Sequence, residues 1–186
     1  METDISSNLR AVETSIRGFE HKHQRPQNSV TLIAVSKTKS VDAIQQAMQA
    51  GQTHFAESYA QEAIEKISVL NDANLTWHFI GPIQKNKTKA IADHFDWVHS
   101  IDRAIIAQRL SAQRSVELPN LNVCIQLNVS QELSKSGIAP DQAIPLAAEI
   151  SSLPRLQLRG LMAVPAPSKQ LEEQRSALRQ VRETYD

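Results

Sequence analysis

Short apolar segments alternate with amphipathic segments along the whole chain. The apolar segments are rich in Val, Ile, Leu and Phe, as is typical of strands buried in a sheet. The amphipathic segments repeat apolar residues three and four positions apart, which places one apolar stripe on a helix. Strands are therefore predicted over residues 30–36, 53–56, 75–80, 95–99, 121–129 and 156–163, and helices over 4–23, 41–50, 60–70, 85–94, 101–116, 141–153 and 171–185.

This order, a leading helix followed by six β-α units, indicates an α/β fold with parallel strands and right-handed helical crossovers. Two architectures are open: a doubly wound open sheet, and a closed barrel that needs eight strands and about 250 residues. No repeat or low-complexity linker divides the 186 residues. Residues 1–186 are therefore predicted to form a single domain.

The first strand carries the most suggestive residue. Residues 30–36 form an apolar run that is predicted to be buried on both faces, and Lys37 stands where it ends. In parallel α/β folds that end is where chemistry is placed. A Lys whose stem lies in an apolar wall loses charge by desolvation, and the free amine can condense with an aldehyde to a Schiff base. The alternative is that Lys37 caps a strand in solvent.

The composition of the chain argues against several classes of partner and site. Lys plus Arg and Asp plus Glu are balanced at 20 each, so neither a nucleic-acid nor an anionic-membrane partner is expected. Cys124 is the only cysteine, so no disulfide framework or Cys-based zinc site is expected, and it is predicted to be a buried thiol. No apolar stretch is long enough to span a bilayer, and the first residues show no signal-peptide core, so a cytoplasmic location is expected.

Five segments together resemble the pyridoxal-phosphate homeostasis proteins, which are single-domain relatives of the N-terminal barrel of alanine racemase. They are AVSKTKS (34–40), FAESYAQE (55–62), WHFIGPIQKNK (77–87), LNVSQELSKSG (127–137) and LRGLMAVPAP (158–167). The resemblance implies a TIM-like (β/α) barrel of the alanine racemase N-terminal type with an extra N-terminal helix, here incomplete, with about six of eight β-α units.

The same resemblance implies that pyridoxal 5'-phosphate is the cofactor and that Lys37 holds it through a Schiff base. Ser58 stands where relatives carry an Asn close to the cofactor ring, and Asn128 and Met162 are expected to line the pocket beside that ring. Relatives continue for two further β-α units, which hold the phosphate. The first and sixth strands are therefore expected to be sheet edges. A natural truncation or a fragment is expected, and the alternative is that two chains complete one another's sheets.

The function implied is storage and delivery of the cofactor without catalytic turnover, with apo forms of pyridoxal-phosphate enzymes as possible recipients. One alternative is a fold-type III enzyme, an amino-acid racemase or decarboxylase; another is a fragment that binds no cofactor. Glu57 and Tyr59 are a candidate acid–base pair by residue type only. His78 is expected to be a packed, hydrogen-bonded residue, and no metal-ligand spacing or catalytic triad is found.

Two further features stay open on sequence alone. Lys85, Lys87 and Lys89 form either a solvated helix face or a positive rim that attracts an anionic cofactor. The loop 134–137 is either an ordinary turn or a contact for phosphate or a partner protein.

Overall fold

The computed structural model describes residues 4–72, 74–130 and 136–186. The chain divides into two compact units, Met1–Trp77 and His78–Asp186. The single domain expected from the sequence stays a prediction. No helix in the described ranges is both long and apolar enough to cross a membrane.

The described residues of the first unit form three helices and two complete strands. They are α1 (Ile5–Lys22), β1 (Ala34–Val35), α2 (Val41–Gln49), β2 (His54–Glu57) and α3 (Ala60–Leu70), and β3 (Thr76–Phe79) starts here. β1 and β2 are parallel, with Ala34 paired to Phe55 and Val35 to Ala56. The core of this unit is formed by Ile44, Ala47, Phe55, Ala63 and Trp77.

β1 is much shorter than the predicted strand 30–36, and the expectation that it is buried on both faces is wrong. Val35 is 49% exposed, and within the described part of the chain β1 pairs only with β2. The start of the predicted strand is held by α1 instead. Val30 donates its N–H to Glu20 Oε1 at 2.7 Å and accepts from Arg17 Nη2 at 2.7 Å. These side chains take the backbone groups that a ladder would have used.

The second unit continues the alternation of strands and helices. A 3₁₀ turn over Lys85–Lys87 leads into α4 (Thr88–His94), followed by β4 (Trp97–Ile101), α5 (Ala104–Gln113), β5 (Leu121–Leu127), α6 (Ala143–Ser151), β6 (Leu156–Ala163) and α7 (Leu171–Tyr185). β3 pairs with β4, β4 with β5 and β5 with β6, all parallel. The predicted parallel β-α order is therefore confirmed.

Several predicted core positions of the second unit are exposed. The apolar pattern predicts that Ile105 and Ile106 of α5, and Ala143 and Ile144 of α6, all face inward, but Ile105 and Ile144 are 41% and 76% exposed. Ile106 and Ala143, their neighbours in sequence, take the buried positions, because the next residue on a helix is rotated by about 100°. The expected apolar stripe of α7 is also largely exposed at Leu171, Leu178 and Tyr185.

Two buried polar side chains stabilise this unit. Arg114, which follows α5, donates to three backbone carbonyls: Ala92 at 2.6 Å, Phe95 at 2.8 Å and Pro119 at 2.9 Å. Burial lowers the pKa of its guanidinium, although the charges of Asp96 and Asp93 oppose this shift. Cys124 is buried as predicted, and burial raises the pKa of its thiol to about 11.

Candidate functional site

Lys37 lies two residues beyond β1, at the carboxyl end of the strand. Its side chain is exposed and forms no hydrogen bond or ion pair with any residue in the described ranges. The expectation of an amine desolvated by an apolar wall is wrong here, because the strand ends at Val35 and leaves Lys37 in solvent. Its role in holding a cofactor is a separate matter and stays a prediction.

Immediately before Lys37, the chain is tied into a buried polar cluster. Ser36 donates its hydroxyl to Glu57 Oε1 at 2.7 Å, and Glu57, the last residue of β2, is fully buried. The ammonium of Lys66, a residue only 6% exposed, donates to Ser36 O and Glu57 Oε1, both at 2.7 Å. Glu57 Oε2 has no hydrogen-bond partner within the described ranges.

Immediately after Lys37, the same cluster holds the chain again. Thr38 donates its N–H to Glu62 Oε1 at 2.6 Å, and Lys66 Nζ donates to the same oxygen at 2.6 Å. The hydrogen bond from Lys66 is the main cause that lowers the pKa of Glu62, with the Thr38 N–H contributing and burial opposing. We name Ser36, Glu57, Glu62 and Lys66 the Lys66 cluster.

The backbone at Thr38 is unusual. Its φ of +64° lies in the left-handed region, which β-branched residues rarely adopt. The turn redirects the chain directly after Lys37, and the Glu62 carboxylate holds it through the Thr38 N–H. The neighbouring residues thus keep a strained conformation in place.

Ser58 follows β2 and is half-buried. The register of β1 and β2 ends with Val35 paired to Ala56, and Lys37 and Ser58 each lie two residues beyond that pair. The structure therefore brings these two predicted site residues to neighbouring strand ends. A groove of about 510 Å³ also runs along β1; Val35, Ser36 and Lys39 line it together with residues of α1 and α2.

The second unit contains the other two predicted residues, Asn128 and Met162. Met162 is paired with Gln126, and Asn128 lies two residues beyond Gln126, so all three side chains share one face of the sheet. Asn128 also donates its N–H to Ile138 O at 2.9 Å. The structure therefore brings Asn128 and Met162 to the carboxyl ends of neighbouring strands, as expected.

Gly137 closes the loop against the end of β5. A Cβ at Gly137 would lie 2.8 Å from Asn128 N and from the carbonyl carbon of Leu127, and the φ of Gly137 is +121°. Only glycine fits such an approach without strain. Residues 131–135, which include Ser134 and Lys135 of the predicted contact loop, lie outside the described ranges.

His78 is packed and hydrogen-bonded, as predicted, but its partner was not foreseen. Its Nδ1 lies 2.9 Å from Nε2 of His99, and both imidazoles stack with Trp97. Arg159 lies over the Trp97 ring at 5.6 Å. Burial lowers the pKa of His99. Trp97 and His99 are two positions apart on β4 and so share one face of the sheet. This spacing was the signal in the sequence that could have predicted their contact with one another.

The three lysines near the start of α4 show no sign of a binding role. Lys85, Lys87 and Lys89 are all exposed, and Lys89 forms an ion pair with Asp93 one helical turn away. This arrangement favours the solvated-face interpretation. Within the described ranges, no group of three or more His, Cys, Asp or Glu residues could hold a metal ion.

The sequence is similar to a known family and to several named proteins. A sequence model of the family "Alanine racemase, N-terminal domain" matches residues 7–186. Two curated relatives, from Haemophilus influenzae and Pseudomonas aeruginosa, are each named pyridoxal phosphate homeostasis protein. The first is 49% identical over 185 residues, covering 98% of this chain and 78% of the relative. The second is 51% identical over 179 residues, covering 96% and 78%.

Solved structures show the same fold. PipY of Synechococcus elongatus, with pyridoxal phosphate bound, has a TM-score of 0.81 and 34% identity, covering 97% of this chain and 80% of PipY. An alanine racemase of Clostridium difficile has a TM-score of 0.75 at 13% identity, covering 98% of this chain and 47% of the racemase. Together with the family match, they confirm the predicted TIM-like β/α fold of the alanine racemase N-terminal type.

Proposed function

The chain belongs to the family of the alanine racemase N-terminal domain, and from this premise we propose that it binds pyridoxal 5'-phosphate and serves in homeostasis of that cofactor. The geometric observation that carries the proposal is the amine of Lys37. It stands at the carboxyl end of β1, accessible and not engaged by any residue in the described ranges. Accessibility is what an amine needs to meet an aldehyde in solution.

The residues present fit such a ligand. We propose that Lys37 forms the covalent link: its neutral amine adds to the aldehyde carbon, a C=N bond forms, and the carbonyl oxygen leaves as water. Ser58 offers a hydroxyl at the end of the neighbouring strand β2. Asn128 and Met162 are proposed as further contacts of the cofactor.

We propose storage and delivery rather than catalytic turnover. Glu57 and Tyr59, the candidate acid–base pair, are poorly arranged for proton transfer. Glu57 is buried and its Oε1 accepts from Ser36 and Lys66, whereas Tyr59 is 59% exposed. Recipient apo-enzymes and a cytoplasmic location remain parts of this proposal.

The test is covalent trapping. The purified chain is mixed with pyridoxal 5'-phosphate, reduced with borohydride, digested and mapped by mass spectrometry. We expect the label on Lys37, its loss in Lys37→Ala, and its retention in Lys39→Ala, since Lys39 is an exposed lysine two residues away. A folded chain that takes no label on Lys37 contradicts the proposal. Racemisation or decarboxylation of an amino acid by the loaded chain contradicts storage without turnover.

A further inference from the structure

We propose that the Lys66 cluster is a positioning device for Lys37: it fixes the backbone on both sides of the reactive lysine and so sets the direction of its side chain. This inference rests on the proposed function, because it assigns a role to residues around the amine that reacts. Lys66 is the central positioning residue and acts through the backbone on both sides of Lys37.

Within the described ranges, Lys37 depends on its backbone for its direction. Its side chain makes no hydrogen bond or ion pair there, so its direction follows from its Cα–Cβ bond. The strand before it contributes little, since β1 has two residues and one described neighbour. The Ser36 N–H donates to Ala56 O at 2.9 Å, and the Lys39 N–H donates to Ser36 O at 3.0 Å and so closes the turn over Lys37 and Thr38. These two backbone bonds leave the Thr38 N–H to the Glu62 carboxylate.

The Lys66 cluster holds that turn. A single ammonium, Lys66 Nζ, joins the carbonyl before Lys37 to the carboxylate that accepts the N–H after it. The bond to Glu57 adds a third acceptor, so each of the three N–H groups of Lys66 has a partner. Groups that use all their hydrogen bonds in a buried setting are held rigidly.

The same arrangement explains why Lys37, rather than Lys66, is the amine that reacts. Lys66 is buried and lies 2.7 Å or less from two carboxylates. All three of its N–H groups are engaged by Ser36 O, Glu57 Oε1 and Glu62 Oε1, so an aldehyde in solution cannot reach this nitrogen. The cluster therefore keeps its own lysine inert while it orients the exposed one.

Glu62→Ala is the most informative substitution. The Glu62 side chain is 30% exposed, so its removal does not leave a cavity in the core. The substitution deletes the acceptor of the Thr38 N–H. Glu62→Gln is the conservative rescue, since its amide oxygen can still accept that bond. Glu65→Ala is the matched control: Glu65 lies on the same helix, is exposed, and its carboxylate accepts a hydrogen bond from the Gln61 side chain.

Two measurements are made on each full-length chain. One is the rate at which borohydride traps pyridoxal 5'-phosphate on Lys37; the other is hydrogen exchange of the Thr38 amide without cofactor. We expect Glu62→Ala to exchange the Thr38 amide faster and to label Lys37 about tenfold more slowly, since small misplacements of a reacting group cost this much or more. Glu62→Gln should lie near the wild type, and Glu65→Ala should match it.

Lys66→Met is the second variant, with Lys89→Met as its control because Lys89 is also paired with an acid one turn away. We expect slower labelling from the first and no change from the second. If Lys66→Met does not fold, the Glu62 series still decides the question. Faster Thr38 exchange in Glu62→Ala with an unchanged labelling rate overturns the positioning role and leaves the proposed function intact. A wild-type chain that takes no label on Lys37 overturns the proposed function itself.

Discussion

Gly137→Ala tests how closely the loop is fitted against the end of β5, where Asn128 lies. The new Cβ would lie 2.8 Å from Asn128 N and from the Leu127 carbonyl carbon. These are backbone atoms, so neither can rotate away as a flexible side chain could. The φ of +121° adds a second cost, because residues with a Cβ rarely adopt it.

The magnitude follows from these two causes. A sparsely populated backbone conformation costs about 1–3 kcal/mol, and overpacking a close-fitted site costs about 1–3 kcal/mol more. We therefore expect Gly137→Ala to lower the free energy of unfolding by roughly 2–6 kcal/mol. The bonds from Asn128 N to Ile138 O and from Ile138 N to Gln126 O, both 2.9 Å, are those that would lengthen first.

Gly160→Ala is the control in the same unit. Gly160 also has a positive φ, +149°, but a Cβ added there would meet a Tyr185 ring carbon at 3.5 Å as its nearest atom, an ordinary contact. This variant should show the backbone cost of about 1–3 kcal/mol alone. Gly18→Ala should instead stabilise by about 0.5–1 kcal/mol, because Gly18 lies inside α1 with open space around it.

The assay is urea unfolding followed by Trp97 fluorescence in a Trp77→Phe background, which restricts the signal to the second unit. For Gly18→Ala, which changes the first unit, unfolding is measured by Trp77 fluorescence in a Trp97→Phe background. Equal unfolding midpoints for Gly137→Ala and Gly160→Ala would refute the reasoning, since they would show that the backbone at Asn128 moves aside without cost.

Buried groups of the second unit lead to three further predictions. Arg114→Met should destabilise by about 3 kcal/mol in urea unfolding, because three backbone carbonyls lose a charged donor; Arg175→Met, at an exposed pair, should change stability by less than about 0.5 kcal/mol, and equal effects would contradict this account. Cys124, whose thiol has a pKa raised to about 11 by burial, should resist iodoacetamide at about pH 8 in the folded chain and react in urea; rapid labelling of the folded chain, read by intact mass, would show that the thiol is accessible. Burial lowers the pKa of His99 below its ordinary value of 6.5, so on acidification the unfolded chain binds the proton before the folded chain does. The stability that neutral His99 contributes is therefore complete above pH 6.5 and is lost as the pH falls below 6.5. His99→Gln should flatten the fall in melting temperature between about pH 7 and pH 5, and an unchanged slope would assign the fall to other groups.

The sequence predicted best those elements whose two ends are marked locally. α3, β6 and α7 begin and end at the residues expected from the pattern alone. β6 lies between Pro154 and Pro165, and α3 is followed directly by Asn71, whose φ of +35° is left-handed. Such residues stop an element whatever packs around it.

β1 could not be predicted in the same way. Its apolar run is a good strand sequence, but the backbone of Val30 is bound by Glu20 and Arg17 of α1. These contacts join residues ten or more positions apart, and no local pattern announces them. The prediction that Ile105 and Ile106 are both buried failed for a similar reason: both are apolar, and only the rotation of α5 against the sheet decides that Ile106 alone is buried.

The candidate site was half predictable. Lys37, Ser58, Asn128 and Met162 follow from strand ends and from likeness to a family, and the structure brings them together in two pairs of neighbouring strand ends. Lys66 was missed, because lysine is rarely buried. A signal existed in α3: Ala60 and Ala63 precede Lys66 at three-residue spacing and line the buried face with it, and Glu62 stands four residues before it.

The burial of Lys66 has a consequence for the ionic conditions under which the chain works. Dissolved ions weaken attraction between charges that face solvent and act much less on charges enclosed by protein. The contacts of Lys66 with Glu57 and Glu62 are mostly enclosed, whereas the pair between Lys89 and Asp93 faces solvent. Raising the salt concentration should therefore loosen the exposed helix pair and leave the turn around Lys37 unchanged.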